Sequence, residues 1–215
     1  MPRPYDSIGE VVRRLLESDG PPPGWRTGER ILYDYPESVP LIDRYVMEGG
    51  YRPSGVVGAG KESLVLGLEP LRANDERRVL KIQSDGAGDA SADLFDYPSG
   101  VPGIAPHIRP QQITEDVAVA MQPRASNVWR KGYYAGPYLS AASRVQEALW
   151  KLGWGWSDGH KQNVGLMPDG RWAAIDGWVS PRHLLNSEAV RTDDAVEAIR
   201  QLLPTSEELR LMEVQ

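Results

Sequence analysis

The chain has 215 residues, a net charge of −6 and no cysteine, and its length suits one domain or one domain in two lobes. Without cysteine, the chain can form neither disulfides nor cysteine-based zinc sites, and its acidic balance argues against a dedicated nucleic-acid-binding protein. No apolar run reaches membrane-spanning length, and the first residues lack the apolar core of a signal peptide. We therefore expect a cytoplasmic protein that acts on neither nucleic acid nor membranes.

Residues 1–50 have the pattern of a helical N-terminal extension. Ser7 and Glu10 form a capping-box pattern, and an apolar stripe at helical spacing follows it. Prolines and glycines between Gly20 and Gly24 break the helix, and a second short helix is predicted over residues 39–47. We expect this extension either to pack on the rest of the protein or to hold a partner.

From Val56 onward the pattern changes to strands. Residues 56–66 indicate a strand, a glycine-containing turn and a second strand, and residues 78–83 indicate a further strand in which Lys81 lies among apolar neighbours. Glycines let a backbone approach phosphates closely, but they also serve in any hairpin. The loop is not a Walker loop, because Glu62 follows Gly60-Lys61 where that motif requires Ser or Thr.

Three further elements are predicted before residue 153. Residues 90–97 are compatible with a short helix, and Val117–Met121 have the pattern of a buried strand. A longer helix is predicted over Ser140–Leu152, because its apolar residues recur at helical spacing and Gly153 provides a stop signal.

The stretch after this helix carries most of the candidate chemistry. Asp158 is followed by Asn163, a strand over residues 164–167, a Pro-Asp-Gly turn at residues 168–170, a strand over residues 172–175, and Asp176. Because a hairpin brings its two ends together, Asn163 and Asp176 are expected within reach of one ion, and their oxygens suit Mg²⁺. Asp158 is positioned to accept a proton from an attacking hydroxyl. The alternative is a surface hairpin with ordinary turn carboxylates.

The order of these residues resembles the protein-kinase-like superfamily, in which an Asp, four residues and an Asn precede a hairpin and a second Asp. Asp158, Asn163 and Asp176 match that pattern, and Gly177 follows the second Asp. His160 replaces the family's Lys, which is closer to aminoglycoside and choline kinases. The resemblance covers roughly residues 56–179. It implies an α+β, bilobal kinase-like fold, with a helical extension over residues 1–50, a β-rich small lobe with its hinge over 51–125, and a truncated helical large lobe over 126–215.

The resemblance also implies an ATP site. Lys81 would hold the α- and β-phosphates, since Val-Leu-Lys-Ile resembles the family's Val-Ala-Ile-Lys, and Asp93 is the weak candidate for its carboxylate partner. Ser63 replaces the third glycine of the family's loop. The nucleotide-binding positions implied by the Gly-rich loop, the strand and the hinge are Gly58, Gly60, Ser63, Val65, Lys81, Met121, Gln122 and Arg124.

Carried over in the same way, Asn163 and Asp176 would hold Mg²⁺ and Asp158 would act as the base. His160 would either orient the loop or touch the transferred phosphate. The resulting expectation is an ATP- and Mg²⁺-dependent serine/threonine-protein kinase.

Three alternatives stay open. A small-molecule kinase acting on an alcohol or sugar is favoured by His160 and by the short chain after Asp176, which has no Ala-Pro-Glu motif. A pseudokinase that serves as a binding or scaffold module is favoured by Ser63 and by the missing helix Glu. Nucleotidyl transfer is compatible with the same motifs.

Overall fold

The structure, a computed structural model, describes residues 7–17, 28–59, 63–84, 92–182 and 192–214. These residues form an α+β protein with an antiparallel five-stranded sheet and several helices, which confirms the predicted fold class at that level. Two compact units are present: the first contains the described residues of 1–96 and 107–124, and the second those of 97–106 and 125–215. None of the helices in the described ranges is both long enough and apolar enough to cross a membrane.

The first unit is built on the five-stranded sheet, whose strand order is β1-β2-β3-β5-β4. Every neighbouring pair in it is antiparallel. The strands are β1 (Tyr51–Ala59), β2 (Ser63–Pro70), β3 (Arg78–Ser84), β4 (Ile108–Thr114) and β5 (Val117–Pro123). The strands predicted around residues 56–66, 78–83 and 117–121 are confirmed. Strand β4 was not predicted, because it is a half-exposed edge strand with a proline and therefore has no continuous apolar run.

One face of this sheet packs against the N-terminal helices α1 (Ile8–Leu16) and α2 (Ser38–Glu48) and a π-helical turn, Arg30–Asp34. Alternate strand residues supply the sheet side of this core, as expected for side chains that point to one face. They are Leu64, Leu66, Leu68, Leu80, Ile82, Val117, Val119 and Met121. The described part of the N-terminal segment thus shares one core with the sheet. Burying one such side chain completely contributes about 1.5–3 kcal/mol.

The start of α1 is fixed by hydrogen bonds that the sequence predicted in part. Ser7 Oγ accepts from the Glu10 backbone N–H at 3.2 Å, and Glu10 Oε2 accepts from the Ser7 N–H at 2.7 Å, which confirms the capping box. Asp43 Oδ1 also accepts from the Ile8 N–H at 2.8 Å, so α2 contributes to the cap of α1.

The opposite face of the sheet carries a short helix, α3 (Ala92–Phe95). Leu94 of this helix packs against Ala118 and Ala120 of β5. These two alanines alternate with the β5 residues that face the N-terminal helices, so α3 covers the other side of the sheet.

The second unit is organised around α4 (Gly136–Lys151), whose apolar side packs against Trp172. The helix begins one turn before the predicted Ser140, because Pro137 lies in its first turn, where a missing N–H costs nothing. It ends as predicted before Gly153, which has a φ of +85°. Two later helices follow, α5 (Thr192–Gln201) and α6 (Ser206–Glu213).

Two small antiparallel sheets complete the second unit. The first contains β6 (Asn127–Val128), β8 (Val164–Leu166) and β9 (Trp172–Ala174), and the second pairs β7 (Trp154–Trp156) with β10 (Val179–Pro181). The predicted hairpin of β8 and β9 is confirmed, with each strand one residue shorter. Its turn is closed by a hydrogen bond from the Gly170 N–H to the Met167 carbonyl at 2.9 Å, and Gly170 has a φ of +80°.

A short piece of chain from the 97–106 segment lies beside β9. The Ala174 N–H donates to the Gly103 carbonyl at 2.8 Å, and the Ala105 N–H donates to the Ala174 carbonyl at 2.9 Å. Ile104 and Ala174 thereby form a parallel bridge. This contact supports the strand that leads to Asp176.

Candidate functional site

Three of the residues predicted to bind a nucleotide lie in one row across the sheet of the first unit. Gly58 of β1 is opposite Val65 of β2, Val65 is opposite Lys81 of β3, and Lys81 is opposite Ala120 of β5. The side chains of Val65, Lys81 and Ala120 point to the face that also carries α3, because these residues alternate along their strands with the residues that face α1 and α2. The sheet therefore places Gly58, Val65 and Lys81 side by side on three neighbouring strands.

Lys81 lies in the interior of the sheet. Strand β3 is bordered by β2 and β5, and only 6% of Lys81 is exposed. Lys81 is therefore not a surface lysine on an edge strand. Burying a charged ammonium group this deeply costs free energy unless polar or anionic groups surround it. An anionic ligand such as a phosphate would be one such group. Asp93, proposed as its partner, belongs to α3 by its backbone, and its side chain is outside the described set.

The loop between β1 and β2 is described in part. Among the described residues, no atom would lie within 4 Å of a Cβ atom placed on Gly58, and Ser63 is buried at the start of β2. Gly60 lies outside the described residues.

The predicted hinge residues lie at the end of β5, with Met121 and Gln122 inside the strand and Arg124 directly after it. The Met121 side chain belongs to the helix-covered core, and a Cβ on Gly49 would lie 2.6 Å from Met121 Cε. Met121 therefore faces away from Lys81, and its neighbour Gln122, which is 4% exposed, alternates onto the Lys81 side. The Arg124 N–H donates to the Arg77 carbonyl at 3.0 Å, so this backbone donor is already used within the sheet and is unavailable to a nucleotide.

In the second unit, the loop before β8 joins Asp158 to Asn163. The Asn163 side-chain amide donates to the Asp158 carbonyl at 3.0 Å and to Asp158 Oδ2 at 2.7 Å. The loop is closed further by backbone bonds from the His160 N–H to the Asp158 carbonyl and from the Asn163 N–H to the His160 carbonyl, both at 2.9 Å. Asn163 is 8% exposed, whereas the Asp158 side chain is 58% exposed. The carboxylate is therefore open to solvent on a loop that several hydrogen bonds close.

The hairpin brings Asn163 and Asp176 to the same end, as predicted. The Ile175 N–H donates to the Asn163 carbonyl at 2.9 Å, and Asp176 is the next residue. Asp176 Oδ1 accepts from the Gly177 N–H at 2.9 Å. A Cβ on Gly177 would lie only 3.0 Å from Asp158 Cβ, so Asp158 lies against the Asp176-Gly177 turn. Gly177 has a φ of +101°, which a residue with a Cβ rarely adopts.

The same arrangement suits a hard cation in its donor chemistry. Because the Asn163 amide nitrogen donates both of its protons to Asp158, the Asn163 side-chain atom that could bind a cation is the oxygen Oδ1. Asp176 adds a carboxylate, and oxygen donors of these two types are those that Mg²⁺ takes in proteins. No group of three or more His, Cys, Asp or Glu residues in the described ranges is arranged so that it could hold a metal ion together.

His160 and Lys161 lie inside this loop and make different contacts. His160 Nε2 is 3.3 Å from Asp158 Oδ1, and its Nδ1 accepts from the Gln162 N–H at 3.2 Å. The Lys161 ammonium lies 4.1 Å from the centre of the Trp129 ring, a cation–π contact that ties the loop to the chain beside β6.

Two residues near Asp176 were not predicted from the sequence. Trp156 donates its Nε1–H to the Asp176 carbonyl at 3.0 Å, and the pKa of the Tyr97 phenol is held well above its usual value by burial and then by the negative charge of Asp176. The alternation Trp154-Gly155-Trp156 could have indicated the strand β7. Nothing in the local sequence of Tyr97 indicates its position, because that position depends on a long-range contact.

Comparison with known proteins gives no family: no protein-family model matches the chain, and no curated protein matches it.

Proposed function

We propose that the protein is an ATP- and Mg²⁺-dependent phosphotransferase with a bilobal, kinase-like fold, and that it transfers phosphate to a hydroxyl group, with protein serine or threonine as the first candidate acceptor. Nucleotide contacts are assigned to the first unit and the metal ligands and base to the second.

One observation carries this proposal. The Asn163 amide binds both the backbone carbonyl and the carboxylate of Asp158, and the Asn163 carbonyl is bonded to the residue before Asp176. A single asparagine thus links a solvent-open carboxylate to a second carboxylate at the end of the hairpin. An ordinary surface hairpin has no need for a nearly buried asparagine with this set of bonds.

In the proposed reaction, Asn163 and Asp176 would hold the metal ion through their side-chain oxygens. A bound Mg²⁺ neutralises charge on the phosphate oxygens during transfer. The chain's own contributions are the positive charge of Lys81, which attracts the phosphates, and the placement of the acceptor by Asp158.

Asp158 is the group assigned to the acceptor. Its exposed carboxylate accepts the hydroxyl proton and aims the oxygen at the phosphorus atom, and the acceptor oxygen then forms a bond to phosphorus as the bond to the ADP oxygen breaks. Because phosphoryl transfer needs little covalent help from a protein, positioning and charge neutralisation supply most of the rate.

A small-molecule acceptor is the second candidate, and His160 favours it because it resembles the loop of small-molecule kinases. A pseudokinase is the third candidate. The engaged backbone N–H of Arg124 favours the pseudokinase, because it removes one donor expected to bind adenine in this resemblance.

The test uses ATP labelled in the γ-phosphate and, separately, in the α-phosphate, with the purified full chain, Mg²⁺ and both protein and small-alcohol acceptors. Transfer of γ-label alone supports the proposal, and the labelled product identifies the acceptor class. Transfer of α-label would replace it with nucleotidyl transfer. If neither label moves but Mg-ATP raises the melting temperature, the protein is a nucleotide-binding pseudokinase.

A further inference from the structure

We propose that His160 is a positioning residue that fixes the Asp158 carboxylate and makes no contact with the nucleotide. The expected effect of His160 on kcat rests on the proposed function. The contact itself rests on the geometry of the loop.

The tautomer of His160 follows from its neighbour in the chain. The Gln162 backbone N–H points to His160 Nδ1 at 3.2 Å. Because a backbone N–H can only donate, Nδ1 must be the unprotonated acceptor nitrogen of the neutral ring. The ring proton is therefore on Nε2.

This nitrogen lies beside Asp158. Nε2 is 3.3 Å from Asp158 Oδ1, within ion-pair distance, and the Asn163 amide donates to Asp158 Oδ2 at 2.7 Å. Nε2 also lies 3.4 Å from the Asn163 amide nitrogen, but both atoms are donors in this tautomer and they form no bond with each other. Each oxygen of the carboxylate thus has a different nitrogen beside it.

The two donors do different work. The 2.7 Å bond from Asn163 is short and charge-assisted, whereas the 3.3 Å contact from His160 is long. The weaker contact contributes little to stability but removes the remaining freedom of the carboxylate to turn about the bond between Cβ and Cγ. Such a restraint matters because 58% of the Asp158 side chain is exposed, so packing restrains the carboxylate only in part.

The same contacts argue against the other role considered for His160. With Nδ1 accepting from Gln162 and the Nε2–H group 3.3 Å from the Asp158 carboxylate, the neutral ring has no second N–H with which to bind a phosphate oxygen. His160 therefore acts on the reaction through Asp158, by keeping the base in the orientation that accepts the acceptor proton.

The kinetic test compares His160→Gln with His160→Leu in the full chain. Glutamine can place an N–H close to the position of Nε2, and leucine keeps much of the volume without a donor. We expect His160→Leu to lower kcat roughly tenfold, within the range that misplacement of a catalytic group costs, with the KM for Mg-ATP unchanged. His160→Gln should recover most of the loss. A higher KM for Mg-ATP at unchanged kcat would overturn the proposal in favour of phosphate contact.

A second measurement does not depend on turnover. The chain has three histidines, so ¹⁵N NMR of the labelled protein at pH 8, with His160→Gln to identify the signal, reports the His160 tautomer directly. An Nε2–H tautomer whose signal shifts in Asp158→Asn supports the contact, and an Nδ1–H tautomer overturns it. If the NMR result is as expected but no phosphate is transferred, the positioning contact stands and the proposed function fails.

Discussion

The side chain of Asn163 donates two hydrogen bonds to Asp158, one to its backbone carbonyl at 3.0 Å and one to its carboxylate at 2.7 Å. The first bond fixes the shape of the loop, and the second fixes the direction of the carboxylate. An aspartate at position 163 would place carboxylate oxygens, which only accept, against the carbonyl and carboxylate oxygens of Asp158, which also only accept. This explains why an amide, and not a second carboxylate, is found at position 163.

This relationship predicts the effect of Asn163→Ala. Both bonds are lost from a nearly buried site, and the free energy of unfolding should fall by about 1–3 kcal/mol. Urea denaturation measures the change. Gln162→Ala is the matched control in the same loop, since residue 162 is exposed and its replacement should stay within about 0.5 kcal/mol. Equal effects of the two variants would mean that Asn163 does not hold the loop.

The assignment of the metal ligand predicts a selective effect of Asp176→Ala. A ligand that binds only the folded state raises the melting temperature by mass action, so Mg-ATP should stabilise the wild type, and the Mg²⁺-dependent part of that shift should disappear in the variant. Asp169→Ala is the control, because Asp169 lies in the turn of the same hairpin and pairs on the surface with Arg171. A metal-dependent shift that survives in Asp176→Ala would exclude this ligand.

Local patterns in the sequence were enough to predict the hairpin that carries the site. The turn at residues 168–170 has the Pro-Asp-Gly chemistry of a tight turn, and the flanking residues alternate as strands do. Lys81 could likewise be assigned to a strand from its apolar neighbours. In each case the signal lies within about ten residues of the element it predicts.

The remaining parts depend on contacts between distant residues. The Ala105 N–H donates to the carbonyl of Ala174, which lies far from it in the sequence, and neither residue has a local pattern that indicates the other. Met121 was expected near the nucleotide, but strand alternation turns its side chain to the core beneath α2. Residues 117–121 of β5 are all apolar, so the sequence does not distinguish the two faces of this strand.

The contact beside β9 predicts that Gly103 tolerates no side chain. Gly103 has a φ of +85°, and a Cβ there would lie 3.1 Å from Leu202 Cδ2 and 3.2 Å from its Cδ1. Gly100 is the matched control, because its φ is +76° and its Cβ would meet nothing within 4 Å. Both alanine variants carry the backbone strain, and only Gly103→Ala adds a packing conflict. Its free energy of unfolding should be lower than that of Gly100→Ala by about 1 kcal/mol or more, measured by urea denaturation. Equal values would mean that Leu202 moves aside.

The cap of α1 predicts a pH dependence of stability. Burial raises the pKa of Asp43 above its usual 3.8, the Glu10 charge raises it further, and the bond from the Ile8 N–H opposes both. Because the pKa of Asp43 is higher in the folded state than in the unfolded state, ionisation of Asp43 lowers the free energy of unfolding. The stability of the wild type relative to Asp43→Asn should therefore fall as pH rises from 3.8 through the folded pKa and level off above it.

Urea denaturation between pH 3.5 and 7 measures this difference. Asn keeps an acceptor for the Ile8 N–H, so the comparison isolates the charge. A wild type that gains stability over Asp43→Asn with rising pH would show that the hydrogen bond outweighs burial.

The final prediction separates an enzyme from a binding module and concerns Asp158→Asn. Asparagine can keep its oxygen towards the Asn163 amide, so the loop should retain its fold, but the group can no longer accept a proton. Turnover should fall by roughly 10²–10⁴-fold, while the Mg-ATP-dependent rise in melting temperature persists, because Asp158 is not assigned to the metal. A pseudokinase would have no turnover to lose. If Asp158→Asn instead unfolds the protein while the Asn163→Ala variant remains folded, Asp158 is a structural group of the loop, and the catalytic assignment is wrong.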